Sequence, residues 1–245
     1  MAANATEIRP PTVIDPARTR VAAPWLGPAY FAAYLGYLFA RPEPESLHWV
    51  SLVAVPLALT LGTVGPGGGS RTGRALAALG LRLGGLRVGL AWAIPLGITL
   101  GAAQLMLSNR GDEIRARIAD GSVVWLLPLV FLLMLLTAGF TEEFFFRGFL
   151  QTRLEQLTRS RAWGLVLASL CFGFYHLPYA YLNPNWPSAG DWSAALFAAL
   201  GQGIPGGLIL GAVYLGSQRN LLAPVVVHAL INTLPGLTMV HFGGP

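Results

Sequence analysis

Residues 121–143 read GSVVWLLPLVFLLMLLTAGFTEE, and this stretch decides the fold. The first 21 of these residues carry no charged side chain. That length suffices for one helical crossing of a bilayer, because about 20 apolar residues span its hydrocarbon core. Two adjacent carboxylates, Glu142 and Glu143, then stand where membrane helices rarely place charges. The stretch therefore predicts a membrane-spanning helix that leads into a polar functional site.

Similar uncharged runs cover most of the chain. Its 245 residues include 16 basic and 11 acidic side chains, or 11% charged, whereas soluble domains have about 25%. Disordered chains, coiled coils and typical cytosolic enzymes are thereby excluded. The runs do not alternate as barrel strands would. The sequence predicts an all-α membrane protein, a polytopic bundle of about seven transmembrane helices with a core cavity. The runs are 21–40, 46–70, 88–109, 121–141, 162–190, 192–218 and 220–245.

The charged residues between these runs predict the organisation and orientation of the chain. Residues 1–22 form a polar tail, residues 23–120 hold about three transmembrane helices with an interfacial segment near 71–87, and residues 121–242 form the catalytic core. Twelve of the 16 basic residues fall on the side of the tail, which predicts a cytoplasmic N-terminus. Every basic residue is arginine, which fits a GC-rich bacterial genome. With the uncharged runs, this predicts a bacterial, multi-pass protein of the cytoplasmic membrane.

The net charge of +5 does not indicate a nucleic-acid partner, because the arginines cluster in the turns between spans. The expected partners are membrane lipid and a peptide or protein substrate, and the oligomeric state is left open. The lone cysteine, Cys171, excludes an internal disulfide and a thiolate metal cage.

Small residues in the sixth run predict close helix packing. Gly203, Gly207 and Gly211 recur at intervals of four, so they form a ridge along one helix face. Such a ridge lets two membrane helices approach each other closely.

Three polar clusters interrupt the predicted spans. They are Thr141-Glu-Glu-Phe-Phe-Phe-Arg147, Phe172-Gly-Phe-Tyr-His176 and His228-Ala-Leu-Ile-Asn232. Glu143 precedes Arg147 by four residues, the favourable order for an ion pair on a helix. Arg147 is therefore expected to neutralise Glu143, and Glu142 is the candidate general base for water.

The clusters are predicted to meet at one level of the bundle. Glu142 lies 17 residues before the turn between spans four and five, and His176 lies 17 residues after it. In an antiparallel hairpin both lie about 25 Å from that turn, at 1.5 Å per residue. His228 and Asn232 share a helix face and follow the next cytoplasmic turn by nine and thirteen residues.

Together, these side chains suit the hydrolysis of an amide bond. A glutamate deprotonates water, histidines polarise a carbonyl or move protons, and an asparagine amide stabilises an oxyanion. Glu142, His176 and His228 also match a catalytic zinc set in ligand type. The His-Glu-x-x-His motif is absent, and metal-bound and metal-free catalysis both remain open at this point. No role is predicted for His48 or His241.

The three clusters resemble the CAAX-protease and bacteriocin-processing (CPBP, or Abi) family of intramembrane proteases, which is similar to Ras converting enzyme. The family pattern is Glu-Glu-x-x-x-Arg, Phe-x-x-x-His and His-x-x-x-Asn, and all three parts occur in order within residues 121–235. The resemblance implies that Glu142 activates water with help from His176, and that His228 and Asn232 stabilise the oxyanion. It implies support from Glu143, Arg147 and Phe172.

The implied activity is that of an intramembrane endopeptidase acting on a membrane-associated peptide or protein tail. We favour glutamate-dependent hydrolysis that requires no cofactor, although the family is commonly labelled metalloprotease and Zn²⁺ is possible. Two other functions are weighed. One is a non-catalytic bacteriocin-immunity or scaffold protein of the same fold. The other is a proton-coupled transporter, which inverted repeats with broken helices would favour, and the sequence shows neither.

Overall fold

The computed structural model of the protein describes residues 20–41, 44–107, 111–184 and 186–238. These residues form nine helices and no β-strand. Two parts of the predicted organisation lie outside the described residues: residues 1–19 of the predicted tail, and residues 239–242 of the predicted core, which include His241. The helices are α1 (Leu26–Ala40), α2 (Trp49–Thr63), α3 (Arg71–Ala78), α4 (Leu86–Leu107), α5 (Gly111–Ala119), α6 (Val123–Thr158), α7 (Arg161–Leu182), α8 (Trp192–Gly216) and α9 (Leu222–Leu237).

Four of these helices, α4, α6, α7 and α8, are long and apolar enough to cross a membrane. The predicted class, an all-helical membrane protein, is confirmed, whereas the predicted count of seven spans is not. Helix α1 has 15 residues and α9 has 16. At 1.5 Å per residue these two helices are about 23 Å long, shorter than the roughly 30 Å of a bilayer core. Helix α2 is similarly short.

Apolar side chains are exposed on the outside of the bundle, and several charged side chains are buried inside it. On α6, Val124 and Leu132 expose 78% and 51% of their surface. Glu143 and Arg147, on the same helix, are buried. A water-soluble protein shows the opposite distribution, whereas a protein in lipid buries its polar groups against one another.

The two predicted turns are present, and each contains left-handed backbone. Helix α6 extends over 36 residues, with a kink at Thr137, and Arg159 follows its last residue with a φ of 55°. The Ser160 hydroxyl then accepts a hydrogen bond from the Trp163 amide and caps α7. Gln218 and Arg219 have φ of 57° and 62° between α8 and α9. The hairpins α6–α7 and α8–α9 therefore reverse where the sequence predicted.

Helix α9 packs along α4, so the N-terminal helices and the predicted core share one bundle. At Gly101, an added Cβ would lie 2.7 Å from the Leu230 carbonyl oxygen. The predicted division of the chain near residue 120 and the interfacial role of residues 71–87 remain predictions.

The predicted glycine ridge brings α8 against α7. An added Cβ at Gly203 would lie 2.9 Å from the Gly173 Cα, and one at Gly207 would lie 2.9 Å from the Ser169 Cα. Gly211 meets the same helix one turn further on. Backbone faces backbone along the ridge, so α7, which carries His176, has a fixed distance from α8.

This packing predicts that Gly207→Ala destabilises the protein by about 1–3 kcal/mol, because the new methyl group meets backbone that cannot move aside. Gly206→Ala is the matched control, since nothing lies within 4 Å of its added Cβ. Thermal unfolding in detergent measures both variants. Equal unfolding temperatures for the two would contradict the close packing of α7 and α8.

Candidate active site

Helix α6 changes its geometry around the two glutamates. Residues Leu135–Gly139 and Phe144–Gln151 form π-helical segments, and the short α-helical segment Phe140–Glu143 lies between them. Thr137 is distorted further, with φ of −94° and ψ of −105°. Each π-helical segment widens the helix and changes which way the following side chains face. Glu142 and Glu143 therefore lie in a part of α6 whose side chains face directions different from those of a regular α-helix.

Two imidazoles lie beside one carboxylate oxygen. Glu142 Oε2 is 3.7 Å from His176 Nε2 and 3.9 Å from His228 Nε2. The two histidines come from α7 and α9, and their side chains are 22% and 8% exposed. The structure therefore brings together three of the four predicted catalytic residues, at the common level expected from their distances to the turns.

Glu143 lies on the other side of His228 and fixes the orientation of its ring. His228 Nδ1 donates to Glu143 Oε1 at 2.8 Å, and Arg147 Nη1 donates to the same oxygen at 2.9 Å. The predicted ion pair between Glu143 and Arg147 is confirmed, and both side chains are almost fully buried. The bond to His228 was not predicted, because residue spacing within α6 carries no information about α9.

His176 has a defined tautomer for a similar reason. Its Nδ1 lies 2.8 Å from the Phe172 carbonyl oxygen, which can only accept, so Nδ1 carries the proton. In the neutral ring, Nε2 then presents a lone pair toward Glu142. This lone pair can accept a hydrogen bond from a water molecule held between the two side chains.

Phe172 packs among the other site residues and supports them. Its ring centroid is 4.4 Å from the Arg147 guanidinium carbon, 4.6 Å from the His176 ring and 6.0 Å from the His228 ring. A guanidinium over an aromatic face is favoured electrostatically, more so where water is excluded. Arg147 also donates from Nη2 to the Gly207 carbonyl at 3.2 Å, which ties the site to α8.

Asn232 is the predicted catalytic residue that the structure does not link to the others by a side-chain hydrogen bond. It lies one turn after His228 on α9 and is half-buried. Among the described residues, its side chain makes no hydrogen bond to the side chain of Glu142, His176 or His228. Its predicted oxyanion role therefore remains a prediction.

Among residues 20–41, 44–107, 111–184 and 186–238, no group of three or more His, Cys, Asp and Glu side chains is arranged to hold a metal ion. The alternative zinc set of Glu142, His176 and His228 remains a prediction. No step of the mechanism below is assigned to a metal.

Sequence reasoning assigned no role to His48, yet the structure places it next to the site. Its Nε2 lies 3.0 Å from the hydroxyl of Tyr179, which is on the same helix as His176. The Tyr175 ring lies between the His48 and His176 rings, with centroids 6.4 and 5.0 Å away. The sequence signal that could have indicated this neighbourhood is the pair of tyrosines, Tyr175 and Tyr179, that flank His176 on α7.

The buried charge network predicts that Glu143→Gln lowers the free energy of unfolding by about 3–5 kcal/mol, because Arg147 loses its anionic partner inside the bundle. Thermal unfolding in detergent measures the effect. Glu113→Gln, at an exposed position on α5, is the control and should leave the unfolding temperature unchanged. A similarly small effect of both substitutions would show that the Glu143–Arg147 pair does not stabilise the fold.

Comparison with known proteins gives one match. Residues 124–234 match the family model described as type II CAAX prenyl endopeptidase Rce1-like. The chain matches no curated protein and no solved structure. The matched range includes all seven predicted site residues and leaves α1–α5 outside it. Residues 124–234 are therefore similar to the Rce1-like CAAX proteases, and the resemblance predicted from the three motifs is confirmed.

Proposed function

We propose that this protein is an intramembrane endopeptidase that cleaves a peptide bond in a membrane-associated peptide or protein tail. The observation that carries the proposal is the position of Glu142 Oε2 between Nε2 of His176 and Nε2 of His228. The family match supports a CAAX-type protease activity. The sequence favours a location in the bacterial cytoplasmic membrane, with the active site open toward the cytoplasm.

The first step is the activation of water. Distances of 3.7 and 3.9 Å are too long for direct hydrogen bonds between Glu142 and the histidines, and separations of this kind suit a bridging water. A water between Glu142 and His176 donates one hydrogen to the carboxylate and the other to the histidine lone pair. Glu142 then takes a proton as the water oxygen attacks the substrate carbonyl carbon.

The second step is stabilisation of the oxyanion and loss of the amine. His228 already donates from Nδ1 to Glu143, so it donates from Nε2 only as an imidazolium. Carboxylates on both sides of the ring stabilise that positive charge. His228 and Asn232 are the proposed donors to the oxyanion. The carbon–nitrogen bond breaks when Glu142 delivers its proton to the leaving nitrogen, which returns the carboxylate to its starting state.

We expect Glu142→Gln to reduce cleavage at least 100-fold, within the roughly 10²–10⁴-fold range of general acid–base catalysis, because an amide cannot take a proton from water. Purified protein in detergent is incubated with a library of lipid-anchored peptides, including prenylated CAAX peptides, and products are identified by mass spectrometry. Glu113→Gln, an exposed carboxylate on α5, is the matched control and should keep full activity.

Cleavage by Glu142→Gln at the wild-type rate would reject this assignment. If the wild-type protein cleaves nothing in the library while Glu142→Gln retains the biological effect of the protein, the immunity or scaffold function replaces the endopeptidase.

The proposed mechanism requires no metal, so we expect full activity after incubation with a chelator and removal of the chelated metal. The same peptide library is the assay. Loss of activity that added Zn²⁺ restores would establish a metal-dependent enzyme and assign Glu142, His176 and His228 as the residues to test as ligands.

A further inference from the structure

Two adjacent residues from the N-terminal half of the chain contact α6 and α7, two of the three helices that carry the candidate site. His48 is buried, and its Nε2 lies 3.0 Å from the Tyr179 hydroxyl on α7. The neighbouring Trp49 stacks on Phe140 of α6, with ring centroids 5.3 Å apart and planes 19° apart. Tyr179 lies three residues after His176, and Phe140 lies two residues before Glu142. A single dipeptide therefore connects the backbone near His176 with the backbone near Glu142.

The connection from His48 to His176 runs through aromatic rings in contact. Tyr175 is buried, and its ring centroid is 5.4 Å from the Tyr179 ring and 5.0 Å from the His176 ring. It also packs on Phe146 of α6 at 5.2 Å. Aromatic pairs at these separations attract each other beyond the burial of their surface. Aromatic rings therefore form a continuous series of contacts from His48 to the face of α7 that presents His176.

The start of α2 is itself held in place, which a positioning element requires. His48 stands between a 3₁₀ turn, Glu45–Leu47, and the π-helical start of α2, Trp49–Ala54. Ser51 donates from Oγ to the Tyr34 hydroxyl at 3.2 Å, and the Tyr34 ring lies 6.3 Å from the Tyr175 ring. The dipeptide is therefore fixed to α1 as well as to α6 and α7.

We propose that His48 and Trp49 form a clamp that sets the distance between Glu142 and His176, with His48 as a positioning residue for the reaction. The effect on cleavage rests on the proposed function; the effect on the geometry does not. Neither residue touches the reacting atoms. The requirement is demanding, since a misplacement of about 1 Å can cost about 100-fold in rate.

Kinetics test the clamp on the library peptide that the wild-type protein cleaves fastest. We expect His48→Ala to lower kcat at least 10-fold while KM changes less than about 2-fold, because positioning affects the reacting groups more than substrate binding. His48→Gln should recover activity to within about 3-fold, since its side-chain amide can reach the Tyr179 hydroxyl.

Tyr179→Phe removes only the hydroxyl and should also lower kcat, and combining it with His48→Ala should add little, as expected for two residues in one interaction. If His48→Ala does not fold, Tyr179→Phe alone tests the clamp. An unchanged kcat in Tyr179→Phe, or additive effects in the double variant, would overturn the clamp.

A second readout does not require cleavage. The protein has four histidines, so the ring signals in ¹⁵N-histidine NMR spectra can be assigned by substitution. We expect Trp49→Ala to shift the ring signals of His176, whereas Trp163→Ala, an exposed tryptophan at the start of α7, should not. If no peptide is cleaved but these signals shift, the proposed function fails and the clamp stands. Unchanged His176 signals in Trp49→Ala would reject the clamp whether or not the protein is a protease.

Discussion

The site depends on one carboxylate oxygen. Glu143 Oε1 accepts from both Arg147 and His228, so it joins an arginine of α6 to an imidazole of α9 inside an apolar bundle. Arg147 in turn reaches the Gly207 carbonyl of α8. Each of these groups would be costly in lipid without its partners, and together they hold three helices in one arrangement. Glu142 can face both histidines only because its neighbour fixes one of them.

The sequence predicted what depends on distance along a helix and missed what depends on contact between helices. The matching heights of Glu142 and His176 follow from equal spacing to a turn, and the pair of Glu143 with Arg147 follows from helix geometry. Both are present in the structure. The bond from His228 to Glu143 and the proximity of His48 depend on which faces meet, and no residue spacing encodes that. Asn232 shows the limit, because it shares a face with His228 and, among the described residues, still makes no side-chain hydrogen bond to the other site residues.

The short helices change how the bundle fits a bilayer. A helix that crosses a bilayer at a length of about 23 Å requires the adjacent hydrocarbon to thin or its flanking residues to extend toward the interface, and α1 and α9 have this length. Helix α9 carries His228, and α1 supports the aromatic contacts around Tyr175. Buried charges cost less where the hydrocarbon is thin, because water then lies nearer to them. The number of spans predicted from the sequence did not reveal these short helices, because each uncharged run includes loop residues next to its helix.

The two π-helical segments make the site sensitive to how the backbone winds as well as to chemistry. Each one accommodates an extra residue within an otherwise regular helix. If the same residues of Leu135–Gly139 were wound as an α-helix, the following segment would rotate by about 100°. The carboxylates would then face a different neighbour, although the composition of the helix would be unchanged. A functional relative that lacks one residue here is accordingly expected to lack the π-helical winding as well, because a regular α-helix then presents the glutamates on the same face.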